Sequence, residues 1–196
     1  SYSCCVRSWS SRWLFQQALP FFRERMDALI IQRKLFSSWQ LNFLRRRVRW
    51  LIYDFDDAIF LNSSYSADGL NSPKRKRQFQ EVVCCADIVT PGNDFLHEQA
   101  AAFTDSAKVH RFPTCVDVSR YPLARHDETR ENVKLAWIGS ASTLRGIERI
   151  HDHLNHLGQC MSRLELKVIA DRTLHLESLK VEFRNWSEAA ECADLA

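Results

Sequence analysis

Residues 49–60, "RWLIYDFDDAIF", bring Asp54, Asp56 and Asp57 together at the end of an apolar run. A D-x-D pair of carboxylates can hold a divalent cation against a diphosphate. The same acids at the carboxyl end of a strand can instead orient a substrate's hydroxyls without metal, or cap the loop they sit in. A second stretch, "GSASTLRG" (139–146), offers different chemistry. Gly139 permits close backbone approach after a strand, and Ser142 or Thr143 can cap the following helix. With Ser140, they would surround a helix N-terminus whose free N–H groups and positive dipole end favour an anion. Arg145 would add a charge-assisted contact to a phosphate.

Two lesser constellations complete the inventory. Gly92 and Asn93 follow an apolar run and precede a helical pattern, so Asn93 reads first as an N-cap and second as a cleft-lining residue. "HDHLNH" carries His151, His153 and His156, but at about 100° per residue only the last two share a helix face. The histidines alone therefore give no metal site.

Alternating elements must position these groups. The continuous run at 28–32 reads as a parallel strand buried on both faces, and further strands are expected at 50–54, 87–90 and 108–112. Helical patterns lie between them at 38–47, from Ser72-Pro73 onward and at 93–103. Phe79, Val82, Val83 and Ala86 form one apolar stripe. Residues 113–132 are polar and turn-rich, a candidate linker. A second series begins with a strand at 133–138 and a helix bearing Ile147, Ile150, Leu154 and Leu157. Strands at 164–170 and 180–184 follow, with a last helix from about Ser187. The implied class is α/β with two Rossmann-like parallel-sheet halves, 1–112 and 133–196, both expected to be incomplete.

Composition narrows the field. The 196 residues are 45% hydrophobic and 26% charged, which suits a globular chain with a substantial core. No apolar run approaches the roughly 18 residues of a membrane span, and residues 1–25 lack a signal peptide's core, so a cytoplasmic location is expected. The net charge of +3 does not call for nucleic acid. Seven cysteines without C-x-x-C spacing indicate reduced thiols. The basic runs at 45–49 and 73–77 read as solvated helix surface, with an anionic membrane surface as the alternative.

In order, "DALIIQRK", "LIYDFDDAIF", "ADIVTPGNDFL", "VHRFPTCVDVSRY", "VKLAWIGSASTLRGIERI" and "VEFRNWSEAAECADL" resemble the family-4 glycosyltransferases, retaining enzymes of the GT-B fold. The resemblance covers residues 27–195, with "PTCVDVSRY" matching the handover from acceptor half to donor half. It implies sugar transfer from a nucleotide diphosphate sugar to a hydroxyl of a carbohydrate or lipid-linked acceptor, at a peripheral membrane surface in some cases. It implies no cofactor and no metal, and it assigns donor phosphate to Gly139, Ser140, Ser142, Thr143 and Arg145. The acceptor side falls to Asp54, Asp56 and Asp57, with Gly92 and Asn93 lining the cleft.

The family's E-x7-E segment has no counterpart, since no Glu is followed by another eight positions later. The isolated chain is therefore expected not to turn over substrate and to self-associate. The alternative reading is a non-catalytic α/β binding or interaction domain derived from the same fold.

Overall fold

The apolar runs pair in chain order, parallel throughout. The computed structural model describes residues 26–121 and 132–195. Residues 1–25 and residues 122–131 of the candidate linker lie outside the described residues. The chain divides into two compact units between Cys115 and Val116.

In the first unit, β1 (Met26–Gln32), β2 (Val48–Phe55) and β3 (Ile88–Pro91) form a sheet of that order. Helix α1 (Ser38–Arg45) joins β1 to β2, and α2 (Pro73–Cys85) joins β2 to β3. Right-handed crossovers running the same way along a sheet put their helices on one face. Accordingly, Ser38 Oγ of α1 donates to Glu81 Oε2 of α2 at 2.8 Å. Beneath them, Leu51, Tyr53, Phe55, Phe79, Val82, Val83 and Ala86 are all buried. The Tyr53–Phe55 and Phe55–Phe79 ring centroids lie 5.3 and 5.2 Å apart, within the range of favourable aromatic contact. The opposite face of the sheet leaves Ile30 and Trp50 exposed.

Helix α1 stops at Arg45, two residues short of the expected end. Arg45 turns its guanidinium onto Asp87 Oδ1 at 3.0 Å and the Val48 carbonyl at 3.3 Å. Arg47 sits over the Phe43 ring, 4.3 Å from its centroid. These arginines of the first basic run thus have local partners at a helix end. The expected strand at 108–112 shrinks to a parallel bridge between Val89 and Val109, with His110 N–H and Phe112 N–H donating to the Val89 and Pro91 carbonyls at 2.9 Å. Helix α3 (Asp94–Ala101) links it to β3.

The second unit repeats the parallel pattern with β4 (Val133–Ile138), β5 (Leu164–Ala170) and β6 (Lys180–Asn185). Between β4 and β5 the single expected helix is two, α4 (Ala141–Arg149) and α5 (His151–Cys160), broken at Ile150 with ψ 18°. The break resets the buried stripe: Leu144 and Leu154 go into the core, whereas Ile150 and Leu157 are exposed. On the opposite sheet face, charged side chains pair across strands: Lys180 with Glu165 at 2.7 Å, Lys134 with Glu182 at 3.4 Å. Helix α6 (Glu191–Leu195) begins four residues after the expected Ser187. Among the described residues no helix is long and apolar enough to cross a membrane.

Candidate functional site

Register decides what the three aspartates do. Gln32, Asp54 and Thr90 are direct partners across β1, β2 and β3. Gln32 Nε2 donates to Asp54 Oδ2 at 2.9 Å, and Thr90 Oγ1 donates to Asp54 Oδ1 at 2.9 Å. Both carboxylate oxygens of Asp54 are therefore engaged in tying the three strands together.

Asp56 and Asp57 lie beyond the strand end, and both meet Arg33. Its Nε lies 3.1 Å from Asp56 Oδ1, and its Nη2 pairs with Asp57 Oδ2. Arg33 has φ 54°, the one non-glycine positive φ among the described residues, while its N–H donates to the Asp54 carbonyl at 2.8 Å. An L-residue in this region is held there against about 1 kcal/mol or more of strain. In the D-x-D itself, Asp54 accepts from Gln32 and Thr90 and Asp56 faces Arg33, so each of its two carboxylates already has a protein partner. Among the described residues no group of three or more His, Cys, Asp or Glu side chains converges on a common cation position. Sequence reasoning missed Arg33; its only cue was a cation one position past β1.

Gly92 follows β3 and donates its N–H to the Phe55 carbonyl at 2.9 Å. A Cβ there would lie 3.1 Å from the Asp56 Cα, so glycine lets the two strand tips close on one another. Asn93 is the N-cap of α3, its Oδ1 accepting from Leu96 N–H at 2.9 Å.

At the tip of β4, the helix starts earlier than expected. The N-cap is Ser140, not Ser142 or Thr143, and only Gly139 and Ser140 separate strand from helix. Thr143 Oγ1 accepts from Ser140 N–H at 3.1 Å and donates to the Ser140 carbonyl at 3.0 Å. The Gly139 N–H goes to the Ile169 carbonyl at 3.1 Å, and the Thr143 N–H to the Ser140 carbonyl at 3.0 Å. Of the stretch's early N–H groups, those of Ala141 and Ser142 are the ones no described hydrogen bond takes up. A Cβ on Gly139 would fall 2.7 Å from both Thr143 Oγ1 and the Trp137 ring. Ser142 and Arg145, three apart, lie on one side of α4, both exposed. Arg145 makes no ion pair among the described residues.

Two strands away across β5, the end of β6 presents Trp186, which is 46% exposed and so leaves much of its indole to solvent. Its Nε1–H donates to Glu191 Oε2 at 2.8 Å, and the Tyr121 hydroxyl donates to Glu191 Oε1 at 2.6 Å. The hydrogen bond to Glu191 pushes the Tyr121 phenol up to about 12, and the bonds from Tyr121 and Trp186 hold the Glu191 carboxyl below its usual range. Trp186 is a second group that sequence reasoning passed over.

No family model matches the chain, and no curated protein matches it in sequence. Among solved structures the chain is similar to TarM, a glycosyltransferase, with a TM-score of 0.55 at 8% identity over 85% of this chain. The chain spans 34% of the length of TarM. At that identity the likeness concerns the fold alone. The chain has an α/β fold similar to part of TarM, with two three-stranded parallel sheets flanked by helices.

Proposed function

We propose that the chain is glycosyltransferase-like and that its second unit takes the diphosphate of a nucleotide sugar, for transfer of the sugar to a hydroxyl acceptor with retention. The observation that carries this reading is the β4–α4 junction. Two first-turn N–H groups, the Ser142 hydroxyl (2.8 Å from Ser140 Oγ) and the Arg145 guanidinium, which has no ion-pair partner among the described residues, share the start of one helix, with Gly139 free of a Cβ beside them. A helix start of this kind favours a diphosphate, and it would favour it more as the leaving group gains charge. Trp186, whose indole Glu191 anchors, is suited to the nucleobase. The acceptor, a carbohydrate or lipid-linked hydroxyl, falls to the first unit, where Asp56, Asp57 and Gly92 adjoin.

One observation favours the alternative of a binding domain without chemistry. Asp54, Asp56 and Asp57 are all engaged by Gln32, Thr90 or Arg33, so none is poised as a base. Calorimetry with nucleoside diphosphates separates a diphosphate site from an inert surface. Saturable binding that weakens about tenfold in Arg145→Ala supports the donor reading. Equal binding by both proteins, or none by either, sinks it.

A further inference from the structure

The sheet of the first unit has helices on one face only. Helices α1, α2 and α3 bury Leu44, Val82 and Leu96 in one core with Leu51, Tyr53 and Val89 of the strands. Side chains alternate along a strand, so the residues next to these point to the other face. Register sets them in rows: Ala28 beside Trp50, and Ile30 beside Ile52, which in turn adjoins Ile88. Ile30 and Trp50 are 64% and 47% exposed, and Ile52 and Ile88 are half-buried and stand outside the core. Parallel sheets are as a rule covered on both faces, and a contiguous apolar patch open to water marks a docking surface.

Residues 1–25 precede β1 in the chain, and positions 9–22 hold seven large apolar side chains with one charge, Arg12. The face is one strand long, seven residues or roughly 23 Å. About 15 residues of helix or about 7 of extended chain cross that distance, so the segment is long enough in either form. It also ends at Met26, the first residue of the strand that carries Ile30. A tether this short gives a local concentration in the millimolar range, far above that of a second copy in dilute solution. We propose that residues 9–22 lie across this face and cover Ile30, Trp50, Ile52 and Ile88 within the same chain. The driving force is removal of apolar surface from water on both partners. This inference concerns the first unit and does not rest on the donor reading.

Its test is the reactivity of a thiol placed on the face of the full chain by Ile30→Cys. The tryptic peptide 26–33 holds no native cysteine, so maleimide uptake at position 30 is read by mass. Position 30 should be labelled at least tenfold more slowly in Ile30→Cys than in the same chain carrying Trp13→Asp and Phe15→Asp, at a rate that dilution does not change. Equal rates in the two chains overturn the proposal. So does protection that dilution relieves, which would put a second copy on the face. Should the aspartates unfold the chain, which circular dichroism shows, a second measurement decides. With p-benzoylphenylalanine in place of Ile30, irradiation should join position 30 to residues 9–22 within the monomer band. Cross-links to a second chain or to other segments only, or none at all, overturn the proposal.

Discussion

Arg33 Nε lies 3.1 Å from Asp56 Oδ1, so the cation that answers the aspartate cluster comes from the neighbouring strand of the same sheet. The pair is roughly half exposed on both sides, and contacts of that kind contribute at most about 1 kcal/mol. The left-handed backbone of Arg33 offsets part of this. Replacing Arg33 with glycine should therefore change unfolding stability by less than about 1 kcal/mol, read from a urea transition. The same change uncovers Asp56 and Asp57. Manganese affinity, millimolar or weaker in the parent, should tighten at least tenfold in Arg33→Gly; equal affinity in both would show that the guanidinium does not guard the carboxylates.

Three glycines rank by what a methyl group would meet. At Gly158 the added carbon would sit 2.1 Å from the Ser178 carbonyl oxygen; at Gly139 it would meet side chains at 2.7 Å, and at Gly92 the Asp56 Cα at 3.1 Å. Backbone in the way costs more than side-chain tips that can turn aside. Gly158→Ala should destabilise most, by about 2–3 kcal/mol, because α5 must part from the 171–179 loop that Asn155 Oδ1 holds by two backbone N–H bonds. Gly139→Ala and Gly92→Ala should each lose about 1–2 kcal/mol. Denaturant melts of the three variants read the order directly, and a Gly158→Ala protein as stable as the parent contradicts it.

The contrast between legible and hidden features follows from range. The stripe Phe79, Val82 and Val83, continued by the buried C-cap Ala86, was readable because helical period and burial are local properties of consecutive residues. The parallel strands were readable for the same reason. Arg33 was not, because its meaning depends on the register Gln32↔Asp54, fixed only when β1 and β2 pair. The break at Ile150 escaped notice because "RGIERIHDHL" keeps an apolar period through it; packing of Leu144 and Leu154, not propensity, resets the helix. The cap moved from Ser142 or Thr143 to Ser140 because several hydroxyls compete there, and β4 ends early enough for Ser140 to win.

The Tyr121–Glu191 contact predicts a pH dependence at both ends of the scale. The Glu191 carboxyl is held low in the folded protein, so its contribution is present above the unfolded carboxyl's value of about 4.3 and fades as pH falls through the folded value. Tyr121 is pushed up to about 12, so its contribution is complete below the ordinary phenol value of about 10 and is lost as pH rises from there toward 12. Thermal melts across pH should show that alkaline decline shrinking in Tyr121→Phe. An unchanged alkaline limb would place the loss elsewhere.

The last expectation concerns turnover. Retaining transfer needs the leaving diphosphate stabilised and an acceptor hydroxyl activated or oriented. The first requirement has a candidate in Ser142, Arg145 and the start of α4. For the second, the three candidate aspartates are all engaged: Asp54 accepts from Gln32 and Thr90, while Asp56 and Asp57 face Arg33. The 196-residue chain should accordingly bind nucleoside diphosphates without steadily releasing nucleotide from a panel of nucleotide sugars, with or without added magnesium. Arg33→Ala would free the carboxylates without touching the β4–α4 junction, so it should leave diphosphate affinity within twofold. Steady nucleotide release by the parent chain, abolished in Asp56→Asn or Asp57→Asn, would mean that the ion pair opens during the reaction and that these aspartates act on the acceptor after all.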